Sequence, residues 1–337
     1  MNSQPTDPTK RKSLLFDDEP ATDYGNSKPV SSTFTMTDSE AVVFRHKTFG
    51  SEKYTSSQAT YVYVNGRKLV NFSQKQEFTL SLTQAGTTPI FELDILKDDM
   101  DDGMNLKEQM NGLLEKIVSL KSNLHLALTG HGKILNVVNK AAIQKKWFAL
   151  KEEMKEDENI KSLPENLRKQ TFTKGDVEFS PDYPLQNELN KQLFYFGLFF
   201  PLYGRAFTDK SVTITDLSIV STLFGELSIP LRISMDLMYD EETEEYAIRL
   251  DGNVDKGRLS RRVVEESYKK NYPFVKDSFS KYTCHIQALY IIDKNTHQIE
   301  EVEMEIEEKV NDNLIAIQEL DIERFLEEEE EEELTNV

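Results

Sequence analysis

The sequence predicts an α+β fold: a large curved antiparallel meander sheet packed on a layer of helices. Three observations predict it. Most of the chain from Ala41 onward alternates apolar and polar residues with a period of two, which is the signature of strands with one wet face. That pattern is interrupted by a helical block over residues 139–204. Inside this block, Leu193 to Tyr203 reads Leu-Phe-Tyr-Phe-Gly-Leu-Phe-Phe-Pro-Leu-Tyr, the most apolar and aromatic stretch of the chain. Its eleven residues fall short of the roughly 20 that span a bilayer. It is therefore expected as a buried core helix, entered at Pro184 with Leu185, Leu189 and Leu193 on one stripe. Pro201 ends or kinks it by removing a helical donor.

In chain order, residues 1–40 are rich in Ser, Thr, Asp and Pro and are expected as a disordered polar tail. Two features stand out in it: the basic cluster Lys10-Arg11-Lys12, and the apolar knot Leu14-Leu15-Phe16 followed by Asp17 and Asp18. The knot is read as a docking peptide or as plain tail. Val42, Phe44 and His46 begin the alternation, and Tyr61 and Tyr63 continue it. Phe78, Leu80 and Leu82 turn at Gln84-Ala85-Gly86-Thr87 into Phe91, Leu93 and Ile95. An acidic loop, Asp98 to Gly103, leads to a helix from about Asn105 to Leu120 with Leu106, Met110, Leu113, Leu114 and Ile117 on one stripe. Leu124, Leu126 and Leu128 pair with Ile134 to Val138 across Gly130-His131-Gly132. A helix from Ala141 to about Arg168, broken near Pro164, presents Ile143, Trp147, Leu150 and Met154. A polar loop containing Gly175 and Pro181 follows.

After the aromatic stretch, strands return at Val212/Ile214, Leu217/Ile219 and Ile229 to Tyr239. Tyr246, Ile248 and Leu250 come back across the acidic turn Asp240-Glu241-Glu242. A helix is expected from Leu259 to Lys270. Tyr282 to Ile292, Val302 to Ile306 and Leu314 to Ile322 complete the strands, with glutamates 301, 303, 305 and 307 on the polar side of theirs. Residues 327–337 form an acidic disordered tail, since like charges at that density oppose packing. Residues 41–326 are expected as one α+β domain. The alternative is two β lobes, 41–138 and 205–326, joined by the helical block.

The order of long meandering strands closing over helices resembles the curved half-barrel of bacterial lipoprotein carriers and related lipid-binding periplasmic proteins. The stretches that carry the resemblance are Gly130-His131-Gly132-Lys133-Ile134-Leu135 leading into a helix at Ala141, and the hairpin Ile291-Ile292-Asp293-Lys294-Asn295-Thr296-His297-Gln298-Ile299. It implies a carrier of apolar ligands, and no functional residue is transferred by it. The first residues lack an apolar core of the export-signal type, and the expected setting is cytoplasmic.

The net charge of −19 and pI near 4.8 argue against nucleic acid and anionic membrane surfaces as partners and suit a basic protein partner. One cysteine, Cys284, excludes an intrachain disulfide and is expected as a buried structural thiol. No phosphate-binding glycine loop, nucleophile elbow or zinc-binding His pair occurs. His46, His125 and His285 are expected in strands, and His131 and His297 in exposed turns. Asp251-Gly252-Asn253-Val254-Asp255 and Asp98 to Gly103 place oxygens where a calcium loop would. The first has Lys256 at the glycine position and Arg262 at the bidentate position, the second has Met100 third, and solvated turns are favoured for both. No cofactor and no metal are expected. The expected function is a non-catalytic acidic binding protein of chaperone, adaptor or immunity type. The alternative is a carrier of an apolar small molecule held between sheet and helices by Phe194, Phe196, Phe199, Phe200, Leu231, Ile233 and Tyr290.

Overall fold

The computed structural model describes residues 41–101, 116–207, 211–240, 243–275 and 277–325. Both tails, the apolar knot, the basic cluster, most of the helix expected from Asn105 and part of the turn after Asp240 lie outside the described residues. β1 (Val42–Val43) forms a separate two-stranded sheet with Ala206–Phe207, and the first meander comprises β2 (Phe49–Val64), β3 (Arg67–Gln84), β4 (Ile90–Asp101), β5 (Asn123–Leu128) and β6 (Ile134–Val137). The helical block holds α1 (Lys140–Glu156), α2 (Glu158–Ser162), α3 (Glu165–Glu178), α4 (Leu185–Leu189) and α5 (Leu193–Leu198). Then come β7 (Ala206–Phe207), β8 (Ser211–Ile214), β9 (Ser218–Val220), β10 (Ser228–Asp240), β11 (Glu245–Val254), α6 (Arg261–Asn271), β12 (Tyr282–Asp293), β13 (Ile299–Val310) and β14 (Leu314–Arg324).

Strand accounts for 47% and helix for 23%, so the fold is sheet-dominated, with fewer helices than a full layer. A 12-stranded antiparallel sheet runs β6-β5-β4-β3-β2-β14-β13-β12-β11-β10-β8, with β9 paired to β10. It is not closed into a barrel. Two meanders meet where β14 pairs with β2 from Leu314↔Val64 to Arg324↔Tyr54. The helical block follows one edge strand, β6, in sequence and precedes the other, β8.

Period-two alternation puts Tyr54, Phe78, Leu80, Leu93, Leu237, Ile248, Tyr290, Met304 and Leu320 on one face, here the inner face, in a single buried cluster. The buried side chains of α1, α2, α4, α5 and α6 all enter this cluster. Gly175 belongs to α3, not to a loop. A Cβ there would stand 2.2 Å from Trp147 Cζ2, so the glycine lets α3 approach the buried indole, whose Nε1–H donates to Asp176 Oδ1 at 3.0 Å.

The central segment departs from the single expected helix. Pro184 caps α4, residues 190–192 leave the helix, and Gln192 is extended before α5. α5 ends at Leu198, before Pro201. After the break Phe194 meets β3, and beyond the end of α5 Phe200 meets β12. The expected acidic loop at Asp98 is instead the end of β4, because Lys75↔Asp99 and Glu77↔Lys97 face one another across β3 and β4. Asp251 to Val254 is strand as well, paired throughout with β10 and as far as Asn253 with β12, so the expected turn does not form there. His46 lies between β1 and β2 rather than in a strand, and His297 is half-buried at φ 60° rather than exposed. Cys284 is buried.

Candidate functional site

The aromatic segment is pinned from several directions. Phe194 meets Phe78 edge-on at 5.1 Å, Phe199 meets Phe91 at 5.6 Å, and Phe196, Phe200 and Tyr290 form a chain of rings at 5.4 and 5.9 Å. The buried Tyr290 hydroxyl donates to Gly197 O at 2.8 Å, and burial pushes that phenol well above its ordinary pKa. Leu231 and Ile233 are fully buried on β10, where Ile233 faces Gly252. The structure therefore brings Phe196, Phe200 and Tyr290 together. Phe194 and Phe199 lie against other strands, and Leu231 and Ile233 sit on β10.

Two spaces border the segment. The first is small, about 20 Å3, walled by Phe199, Phe200, Tyr203, Gln298 and His46 among others. That is room for one water molecule. His46 stacks on Tyr203 at 3.9 Å, and its buried Nε2 has no hydrogen-bond partner among the described residues. Burial lowers its pKa to about 4, so the ring is neutral at physiological pH.

The second space is an open cleft of about 570 Å3 between β2–β4 and α4–α5. Leu189, Phe194, Tyr195, Ile117, Val118, Leu96 and Met100 give it apolar walls. Its floor is polar. Gln58 donates to Gln74 Oε1, and Gln74 Nε2 donates to Asp98 Oδ1 at 2.6 Å. The tyrosine Tyr195 is buried, which raises its pKa, and Asp98 adds to the shift. Phe194 is the one residue of the expected ligand set in this lining. The amides were missed, though a signal existed: Ser56 and Gln58, then Gln74 and Gln76, interrupt the apolar parity of their strands. Only the register places them side by side.

The outer face is the second candidate. Along β13 and β14, carboxylates face carboxylates: Glu301↔Glu323, Glu303↔Asp321 and Glu305↔Glu319. Like charges directly opposed destabilise a sheet by themselves. Burial raises the pKa of Glu305 and of Glu319, and neighbouring carboxylates add to it at Glu305. Asp321 is pushed up to about 6, by desolvation first and then by Glu303 and Glu319. Towards β3 and β4 the same face is balanced by Lys53–Glu77 at 3.3 Å and Lys97–Asp99 at 2.8 Å.

Beside the ladder lies a second apolar cluster, Ala247, Leu289 and Ile291, with Met238 against it. Leu289 is 4% exposed and Ile291 3%, although they stand on the face opposite the helices. In register, Leu289 sits between Arg249 and Glu303, and Ile291 between Ala247 and Glu301.

On the inner face, by contrast, Glu308 is 1% exposed and fully served. It accepts from Ser221 Oγ at 2.5 Å, Thr222 N–H at 2.6 Å and Tyr282 Oη at 2.8 Å. Burial raises its pKa against the opposing effect of these donors. This cluster anchors the loop after β9 to the sheet. Among the described residues, no group of three or more His, Cys, Asp or Glu is placed to hold a metal, and no helix is long and apolar enough to cross a membrane.

No family model matches this chain, and no curated protein matches it. Among solved structures it is similar to lipovitellin, in a structure described by its lipid–protein interactions, with 8% identity and a TM-score of 0.43. The likeness covers 84% of this chain and 25% of that one, so the chain spans about a quarter of lipovitellin's length. A likeness at that level carries no information on what this chain binds.

Proposed function

We propose that this protein is a non-catalytic acidic binding protein, of chaperone, adaptor or immunity type, that holds a basic polypeptide against its outer sheet face. The observation that carries the reading is the carboxylate ladder of β13 and β14, where Glu305 faces Glu319 and Glu303 faces Asp321. A cationic partner relieves the opposed charges. The net charge of −19 speeds encounter with such a partner and disfavours nucleic acid. In this reading residues 41–326 act as one unit, because both meanders share the β2–β14 ladder, and the segments 1–40 and 327–337 flank it. The setting is cytoplasmic, where a lone buried thiol such as Cys284 stays reduced.

The test is fluorescence anisotropy of a labelled alternating Lys/Leu peptide against the full chain. Affinity should fall about tenfold or more between low and high salt. It should also fall with Glu305→Lys plus Glu319→Lys. Binding that ignores both salt and the charge reversal removes this reading.

A second reading, a carrier of a small amphiphile, is favoured by the cleft. Its volume of about 570 Å3 lies within the range of roughly 300–1,000 Å3 typical of ligand sites. Apolar walls would take the body of the ligand, and the Gln58–Gln74–Asp98 relay a donor-bearing head. Native mass spectrometry of gently purified protein should show a small molecule that Leu96→Glu plus Met100→Glu displaces. If no small molecule co-purifies and a fluorescent fatty-amine probe does not bind, this reading falls.

A further inference from the structure

The outer face carries a hollow of about 370 Å3 beside the ladder, over β4, β3, β2 and β14. Two rows of the register cross it. One runs Asp99, Lys75, Ser57, Asp321, and the other runs Lys97, Glu77, Thr55, Glu323. Ser57 and Thr55 are the short side chains of these rows. They make the floor on β2, and the longer charged side chains of β3 and β14 stand on either side of it.

Part of this charge is already paired. Lys97 bonds to Asp99 at 2.8 Å, and Lys53 to Glu77 at 3.3 Å. Lys75 on one wall and Asp321 and Glu323 on the other are exposed, and none of the three forms an ion pair with a described residue. Their strands are two spacings apart, about 10 Å, and no Lys75–Asp321 bridge closes that gap. Asp321 is instead held between Glu303 and Glu319, which add to the burial that raises its pKa to about 6. Among the described residues, the hollow therefore sets one unpaired cation on β3 against two unpaired anions on β14.

The matching ligand carries a carboxylate at one end and a cation a short stem away. Energetics decides its size. An exposed ion pair contributes only a few-fold in affinity, and three of them fall far short of the roughly thousandfold that even millimolar capture requires. A free basic amino acid is therefore not held here. A chain end is, because its preceding residues add contacts elsewhere. The ladder lies in place for them: Glu319 is the next outward residue of β14 after Asp321, and it faces Glu305.

We propose that the hollow recognises the carboxyl terminus of a basic polypeptide, with the terminal carboxylate on Lys75, the side chain of a final Lys or Arg on Asp321 and Glu323, and the preceding cations over Glu319 and Glu305. This rests on the reading of the outer face as a basic-polypeptide site and adds which end of the partner is held and what its last residue is.

The experiment measures fluorescence anisotropy of three amino-terminally labelled Lys/Leu peptides on the full chain. The first ends in Lys with a free carboxylate, the second is its carboxyl-terminal amide, and the third has the same composition with Leu last. General attraction to a chain of net charge −19 favours the amide, which is one charge more positive. The hollow predicts the reverse order, with the free acid about fivefold tighter than the amide. Lys75→Gln should remove that preference. The peptide ending in Leu should bind about fivefold more weakly than the one ending in Lys, and Asp321→Asn with Glu323→Gln should make the two alike. Both variants change exposed side chains and leave the fold intact. An amide that binds as tightly as the free acid, or a preference that survives Lys75→Gln, overturns the proposal. If all three peptides then bind alike and in a salt-dependent way, the outer-face reading stands and only the terminus site is lost. If none of them binds, both fall.

Discussion

The two faces of this sheet are made by the same strands and treat carboxylates in opposite ways. Inner Glu308 and outer Glu307 are adjacent in β13. Glu308 is enclosed by three hydrogen-bond donors. Glu307 takes its partner from the same face, Lys309 at 2.6 Å, while its neighbours on that face oppose other carboxylates across β14. The inner face tolerates an anion only where every oxygen is served, because desolvation is severe there. The outer face instead stacks anions against one another at a cost, which shows in the raised pKa values of Glu305, Glu319 and Asp321. Charge on the inner face is committed to holding a loop.

The sharpest way to break the comparison is to remove one carboxylate from each face. Glu308→Ala leaves the Ser221, Thr222 and Tyr282 donors without an acceptor and should destabilise the protein by about 3 kcal/mol in urea unfolding. Glu319→Gln should change stability by only about 0.5 kcal/mol, with a stabilising sign. Equal losses at the two sites would erase the distinction between the faces.

The next effect is steric. At Gly252 an added Cβ would stand 2.6 Å from Ile286 Cγ2 and 2.7 Å from Ile233 Cγ1, both fully buried side chains. Gly252→Ala should therefore lose about 2 kcal/mol by overpacking. Gly50 has nothing within 4 Å of its added Cβ, so Gly50→Ala should be close to neutral in the same urea unfolding.

The smallest effect is a pH slope. The folded pKa of Asp321 is raised from 3.8 to about 6. Below the lower value both folded and unfolded states hold the proton. As pH rises from about 4 to about 6 the unfolded chain releases it first, so the wild type loses stability across that window and then levels off. Asp321→Asn removes this loss. The variant should gain on the wild type between pH 4 and 6 and stay ahead at pH 7 by less than about 1 kcal/mol, since solvent screens an exposed group. A difference that shrinks with rising pH would show that the folded pKa of Asp321 is not raised.

Most strands were legible because alternation is local: the apolar parity of Leu231 to Tyr239 and of Tyr282 to Ile292 needs no knowledge of a partner. The failures share one cause. Asp98 to Asp101 and Asp251 to Val254 look like loops by composition, yet strands on one or both sides supply the ladder bonds and the opposing charges that keep them extended. Gly175 looks like a loop glycine, and only the approach of Trp147 explains it inside α3. The candidate sites were half legible. Phe194 was expected beside a ligand, while Gln58, Gln74 and Asp98 are separated in sequence and become one relay only through the β2–β3–β4 register.

The sequence by itself determined which side chains share a face, the acidity of one face and the aromatic character of the segment that the other face encloses, because period-two geometry and composition act over a few residues. Only the tertiary structure decided that two meanders join at β14 and β2, that the aromatic segment breaks between α4 and α5, and that carboxylates of neighbouring strands stand opposite one another. Those outcomes depend on register between distant segments, and register is set by packing across the whole sheet.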